Sequence, residues 1–267
     1  MTLLGLTLGL LVGFALGLLG GGGSILAVPI FLYVLHVAPK PAIAMSLAVV
    51  GLSAFIGFLA HWRQGTVALR VAVPFGLCAM VGAFVTARLE GFVPATVQLA
   101  LFAIFAFTAA IVMLRDAAKP ESPAPPSPRE DNAKFSPKLI PHGLGVGVLT
   151  ALVGAGGGFV IVPALVLISG VPIKPAVGSS LLIITLNALS GFLGYIGQVP
   201  IDWPLIGSFS VTAAIGAIMG TRLLPHVPQR RIKQAFAILI LVLGAYLIAQ
   251  RTLFASRIAQ PAPQQSS

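Results

Sequence analysis

Two glycine-rich stretches hold the residues best suited to chemistry in this chain of 267 residues. Gly20-Gly21-Gly22-Gly23-Ser24 leads into Ile25-Leu26-Ala27-Val28-Pro29, and Gly154-Ala155-Gly156-Gly157-Gly158 leads into Phe159-Val160-Ile161-Val162-Pro163. A run of this kind interrupts one helix and lets another begin inside an apolar layer. The new start presents backbone N–H groups without partners in their own helix, together with a partial positive charge of about +0.5. Gly22, Gly23 and Ser24 stand at the first start, Gly156, Gly157 and Gly158 at the second, and glycine lets a ligand approach the backbone closely. That chemistry is a cradle for a small anion. Neither run is a nucleotide loop, because no Gly-Lys-Ser/Thr follows and no soluble βαβ unit holds it.

The next apolar stretch after each run carries a second polar set. Ser46, Ser53 and Gly57 fall on one helical face at i, i+7 and i+11, and Ser180, Asn187 and Gly191 occupy the matching places in the other half. Ser179, Thr185 and Ser190 add polarity to the second copy. Hydroxyls and an amide can solvate an oxyanion without burying a full charge, so these residues suit the lining of a path. They equally suit helix packing, where small residues let membrane helices approach and hydroxyls bond to backbone. Asn187 leans towards ligand binding, since an amide is costly to bury idle.

Other chemistries lack their residues. Asp116, Glu121, Glu130 and Asp131 lie in one proline-rich stretch, and Glu90 and Asp202 at the ends of apolar runs. This leaves no mid-membrane carboxylate for a proton relay or a sodium site. His61, aligned with Tyr195, reads as an interfacial residue at a span end, and Arg88 and Arg222 as snorkelling anchors. No Ser/His pair, paired carboxylates or His cluster suggests an enzyme, and no cofactor is expected. Cys78 is the one cysteine, which excludes an intrachain disulfide or cysteine metal site.

The elements that must position these residues come in two copies. Shifting the chain by 134 positions aligns Lys40-Pro41-Ala42 with Lys174-Pro175-Ala176, Ser46-Leu47 with Ser180-Leu181, and Gly57-Phe58-Leu59 with Gly191-Phe192-Leu193. It also aligns Arg88-Leu89 with Arg222-Leu223, and 25 of the 75 positions between Gly20 and Pro94 are identical. Shared Lys, Gln, Arg and Pro at one offset indicate an internal duplication. Hydrophobic residues make up 57% of the chain and charged residues 8%, with mean hydropathy +1.03. That balance marks an integral membrane protein. Helices are expected because lipid requires backbone groups to be satisfied within each segment. The net charge of +10 comes from Lys and Arg placed singly between apolar runs. Such charges orient a bundle in the lipid bilayer rather than bind nucleic acid.

The fold class is therefore all-α, with two homologous, inverted repeats, each a broken glycine hairpin plus three full transmembrane helices. Gly20 to Gly23 divides Thr2–Val37 into arms of about 17 and about 13 residues, too short to span singly. One tilted helix is the alternative, disfavoured because four glycines cost roughly 1 kcal/mol each in a helix. Spans follow at Ala42–His61, Val71–Arg88 and Thr96–Leu114, and the second half repeats the plan with a hairpin at 139–171 and spans near 175–197, 203–223 and 231–250. The first repeat then occupies 1–115 and the second 139–254. Between them 116–138 is a Pro-rich charged linker, and 255–267 a disordered tail. Residues 2–19 lack a basic n-region and a cleavage site, so the first segment is expected to remain in the mature protein. If each glycine segment returns to its own side, 12 of the 16 Lys and Arg lie on the linker side and 4 opposite; if each crosses, the split is 9 to 7. The positive-inside rule favours the hairpin, a cytoplasmic linker and repeats inverted in the membrane.

Together the glycine turn to Val-Pro, Lys-Pro-Ala-x-x-x-Ser-Leu, Asn187-Ala-Leu-Ser-Gly-Phe-Leu-Gly-Tyr195, Asp202-Trp203, and Gly216 through Arg222-Leu resemble the TauE/SafE family of sulfite exporters. Where that family often has Thr-Ser-Leu, this chain has Met45-Ser46-Leu47 and Ser179-Ser180-Leu181. The resemblance covers essentially the whole chain. It implies a multi-pass permease of the bacterial inner membrane for sulfite, a short organosulfonate or thiosulfate; the residues themselves reach only a small anion. The expectation is a secondary transporter working by alternating access with the anion held at the broken-helix starts near the midplane. A passive anion channel is the alternative. A homo-oligomer is left open.

Overall fold

The computed structural model describes residues 3–89, 139–153, 158–167 and 171–228, with single positions at 111, 115, 231, 234 and 238. Helix α1, Leu3–Leu19, ends at a break in which Gly20 has φ 68°, a conformation that favours glycine. Helix α2, Gly22–Pro29, continues through a π turn at Ile30–Val34. Pro29 lacks an N–H to give to the preceding turn. The wider turn directly after it carries a hydrogen bond from Leu35 N to Ile30 O at 3.0 Å, the spacing of a π turn. Two prolines in its first turn start α3, Pro39–Arg63, and α4 follows as Leu69–Leu89, proline being well suited to that position. In the second half α5 is Leu139–Val153, α6 is Gly158–Leu167 and α7 is Ile173–Tyr195. Helix α8, Trp203–Leu223, is capped by Asp202, whose carboxylate accepts from Leu205 N at 3.0 Å, satisfying a donor of the first turn. A single 3₁₀ turn, Leu224–His226, follows it.

The described residues are helical without strands, and α3, α4, α7 and α8 are long and apolar enough to cross a membrane. Helix α3 is longer than the expected Ala42–His61, because Pro39 and Pro41 extend its first turn. The spans expected at 96–114 and 231–250, the linker and the tail lie outside the described residues, single positions in the two spans and at the linker's edge excepted. Helices α3 and α7 form the centre, with 72% and 78% of their apolar windows buried against 39% and 44% for α4 and α8. The outer pair displays Val81, Val85 and Leu89, and Val211, Ile215 and Met219, apolar side chains over a backbone satisfied within its own helix, as lipid contact requires.

Close contacts come in pairs separated by the repeat offset. Helix α1 packs on α8 and α5 on α4, so each half lends its first arm to the other half. A Cβ on Gly13 would come 1.7 Å from Ala213 O, and one on the equivalent Gly147 2.1 Å from Ala79 O. Gly9 meets Phe209 O as Gly143 meets Phe75 O, and Gly216 meets Leu10 O as Gly82 meets Leu144 O. Residue numbers rise together along both seams, so these helices run parallel. Between α3 and α7 they run oppositely: Gly51 faces Leu189, Gly57 faces Leu181 and Gly191 faces Leu47. The central helices are antiparallel and cross near Leu52 and Leu186. In lipid, where tails are as apolar as the side chains, backbone approach through glycine supplies the contact energy that hydrophobicity cannot.

Candidate functional site

The break between α1 and α2 meets the first described residue of α6 in the interior. Gly21 and Gly158 lie backbone to backbone, so a Cβ on Gly21 would fall 2.3 Å from Gly158 C, and one on Gly158 2.3 Å from Gly21 Cα. Gly20, Gly21, Gly23, Ser24 and Gly158 are all buried. Helix α2 starts at Gly22, as its sequence suggested, and Ser24 Oγ folds back to donate to Gly21 O at 2.7 Å. Helix α6 is described from Gly158 onward. Gly156 and Gly157 lie outside the described residues.

Helix α7 ties this junction to its own half. Ser180 Oγ reaches both Gly20 O and Val177 O, the latter at 2.7 Å. Its one hydrogen serves one carbonyl at a time. Ser180 thus joins Gly20, Gly21, Ser24 and Gly158 in one cluster. Ser46 donates to Ile43 O at 2.7 Å and Ser53 to Val49 O, each within α3. Ser179, next to Ser180, points elsewhere and accepts from Ala68 N at 2.8 Å.

Asn187 lies two turns from Ser180, about 10 Å along α7, beside the crossing of α3 and α7. It is fully buried. Its Nδ2 donates to Thr150 Oγ1 of α5 at 2.7 Å, while Oδ1 has no partner. A buried amide oxygen without a partner is costly. Turning the amide over lets Thr150 donate to the oxygen and frees Nδ2 to donate to an anion.

His61 is not the interfacial residue that its place at a span end suggested. It is fully buried, with Nδ1 and Thr66 Oγ1 2.9 Å apart and Nε2 and Gly17 O 3.3 Å apart. Its repeat partner Tyr195 makes the equivalent contact, donating from its hydroxyl to Ala151 O at 3.1 Å. Both residues clamp the first arm of their own half to the span that follows the hairpin. The sequence signal was the alignment of His61 with Tyr195, two polar rings at one repeat position. Arg88 sits over the Phe84 ring, 5.4 Å from its centroid, as an anchor held by a cation–π contact would.

A cavity of about 620 Å³ opens at one end of the bundle, lined by Val37, Ala38, Pro41 and Met45 on one side and residues 200–205 on the other. The chains entering α3 and α8 therefore frame a vestibule on the face from which both helices start.

Against known sequences, the family model described as sulfite exporter TauE/SafE matches residues 5–247. The chain belongs to the TauE/SafE family. A probable membrane transporter protein of Xylella fastidiosa (strain Temecula1) is 34% identical over 245 residues, covering 89% of this chain and 91% of the relative. Another from Bacillus subtilis is 26% identical over 238 residues, covering 89% and 96%. One from Methanocaldococcus jannaschii is 27% identical over 267 residues, covering 92% and 96%. No solved structure matches the chain significantly. As a TauE/SafE protein with four described membrane-length helices, it is a multi-pass membrane transporter.

Proposed function

We propose that this TauE/SafE protein is a secondary carrier that moves a small sulfur-containing anion, such as sulfite, thiosulfate or a short organosulfonate, by alternating access. The carrying observation is the buried meeting of Gly21, at the break before α2, with Gly158, the first described residue of α6. Helix starts aimed at a common point favour negative charge, and in inverted-repeat carriers such points bind the substrate. The antiparallel run of α3 and α7, which are repeat equivalents, supports halves inverted in the membrane. The excess of Lys and Arg on the linker side supports a cytoplasmic linker, in the inner membrane of a bacterium. The family description supplies the substrate class. Gly22, Gly23, Ser24, Gly156, Gly157 and Gly158 form the cradle, with Ser46, Ser53, Ser180 and Asn187 offering side-chain contacts on the path; the Ser179 hydroxyl is instead taken by Ala68 N. Without a nucleotide loop, a gradient or a separate partner must supply the energy.

Reconstitution in liposomes tests this reading. Saturable uptake stimulated by internal counter-anion is expected for sulfite, thiosulfate or a short sulfonate; flux rising linearly with concentration would make the protein a channel. Asn187→Ala is expected to weaken anion binding by about 1–3 kcal/mol, the loss of one charge-assisted hydrogen bond. An isothermal titration returning the parent affinity would leave Asn187 as a packing residue.

A further inference from the structure

The vestibule has a counterpart in the other half, and the two differ. Repeat equivalents of the vestibule residues Ala38, Pro41 and Met45 are Pro172, Pro175 and Ser179, and those of residues 200–205 are residues 66–71. At this second junction the chain is shut. The Gly178 backbone lies against Thr66 O, so close that a Cβ would be 2.2 Å from it, and Ala68 N donates to Ser179 Oγ at 2.8 Å. Thr66 is held in turn by His61, 2.9 Å from its ring, and His61 reaches Gly17 O on α1. Burial follows: Val67 is 6% exposed, whereas its equivalent Ile201 is half-buried on the vestibule wall.

Two residue pairs account for the difference. Ala44 stands where the shut junction has Gly178, so an equally close approach of Pro200 would drive its carbonyl into the Ala44 Cβ. Met45 stands where the shut junction has Ser179, so the Asp202 N–H meets no hydroxyl acceptor there. The open junction cannot shut by the same contacts.

We propose that these junctions are the two gates of the transport path, one on each face, and that Gly178 and Ser179 are the positioning residues that latch the one on the linker side. The proposal rests on the carrier reading for what passes the gates. Its structural content, an asymmetric pair of gates governed by residues 44–45 and 178–179, is measured without substrate, so either can fail alone. The captured state is open away from the linker and closed towards it. The conformational step that releases substrate on the linker side must break the Ser179–Ala68 hydrogen bond and lift the turn at Thr66 off Gly178.

The test uses the full chain in detergent, carrying Cys78→Ser and one new cysteine, with a hydrophilic maleimide as probe. Ile201→Cys is expected to react quickly and Val67→Cys slowly. Adding Gly178→Ala with Ser179→Met, which transplants the open pair onto the shut junction, should accelerate Val67→Cys on the order of fivefold to tenfold, the shift expected when a hydrogen bond and a close contact are removed from a two-state equilibrium. Ala188→Cys, in the buried centre, should stay unreactive in the same background. The reciprocal pair Ala44→Gly with Met45→Ser should slow Ile201→Cys, a gain of closure that unfolding does not produce. An unchanged rate at Ile201→Cys in the reciprocal variant would overturn the proposal. So would an unchanged rate at Val67→Cys in the first variant, or one that rises only together with Ala188→Cys.

Discussion

Gly21→Ala is expected to reduce anion uptake on the order of 100-fold while the protein stays folded in detergent, since a misplacement of about 1 Å at a reacting or binding centre costs that much. The added Cβ would lie 2.3, 2.4 and 2.5 Å from the C, O and Cα of Gly158. These are backbone atoms, so no rotamer change relieves the overlap, and the two backbones must move apart. Gly158→Ala delivers the same push from the other side, against Gly21 Cα and against Ile184 Cδ1 at 2.6 Å. The effect is steric rather than conformational: Gly21 has φ 165°, which any residue adopts. Displacing the two starts separates the N–H groups that would face one anion, so binding and uptake should fall together. Parent-like uptake by Gly21→Ala in liposomes would show that the meeting of the hairpins does not form the site.

Gly13→Val and Gly147→Val are expected to prevent folding or to cost more than about 3 kcal/mol, the upper part of the range for overpacking. At Gly13 a Cβ would sit 1.7 Å from Ala213 O and 2.5 Å from Ala213 C, and at Gly147 2.1 Å from Ala79 O. Each substitution wedges apart a seam between the halves, α1 from α8 in one case and α5 from α4 in the other. Since the two positions are equivalent, their penalties should be of similar size. Gly145→Ala and Gly207→Ala serve as controls, because a Cβ at either meets open space. Size-exclusion profiles and melting temperatures in detergent read the outcome. A Gly13→Val protein as stable as Gly145→Ala would mean that α1 does not pack on α8 as described.

Much of the fold was written in local pattern. The run Gly20–Gly23 announced the break after Leu19, Lys40-Pro41 announced the start of α3 to within three residues, and the 134-residue offset announced the duplication that the paired contacts follow. The duplication aligned His61 with Tyr195, but the reading of His61 as interfacial missed the buried His61–Gly17 and Tyr195–Ala151 clamps. What the serines do was not legible. A serine in an apolar helix can donate to its own backbone, to another helix or to a ligand, and only the position of the neighbours distinguishes Ser53, bonded to Val49 O, from Ser180, reaching Gly20 O in the other half.

Sequence alone determined that this chain is an all-helical membrane protein with an internal duplication and a helix break at Gly20, because hydropathy, helix breakers and self-similarity can be read from the chain without its fold. Tertiary structure alone decided that α1 pairs with α8 and α5 with α4, that α3 and α7 cross antiparallel, and that Gly21 meets Gly158. The reason is physical. In a lipid-soluble helix nearly every face is apolar, so no polar stripe tells one face from another, and partners are chosen by the fit of small residues that lie far apart in the chain.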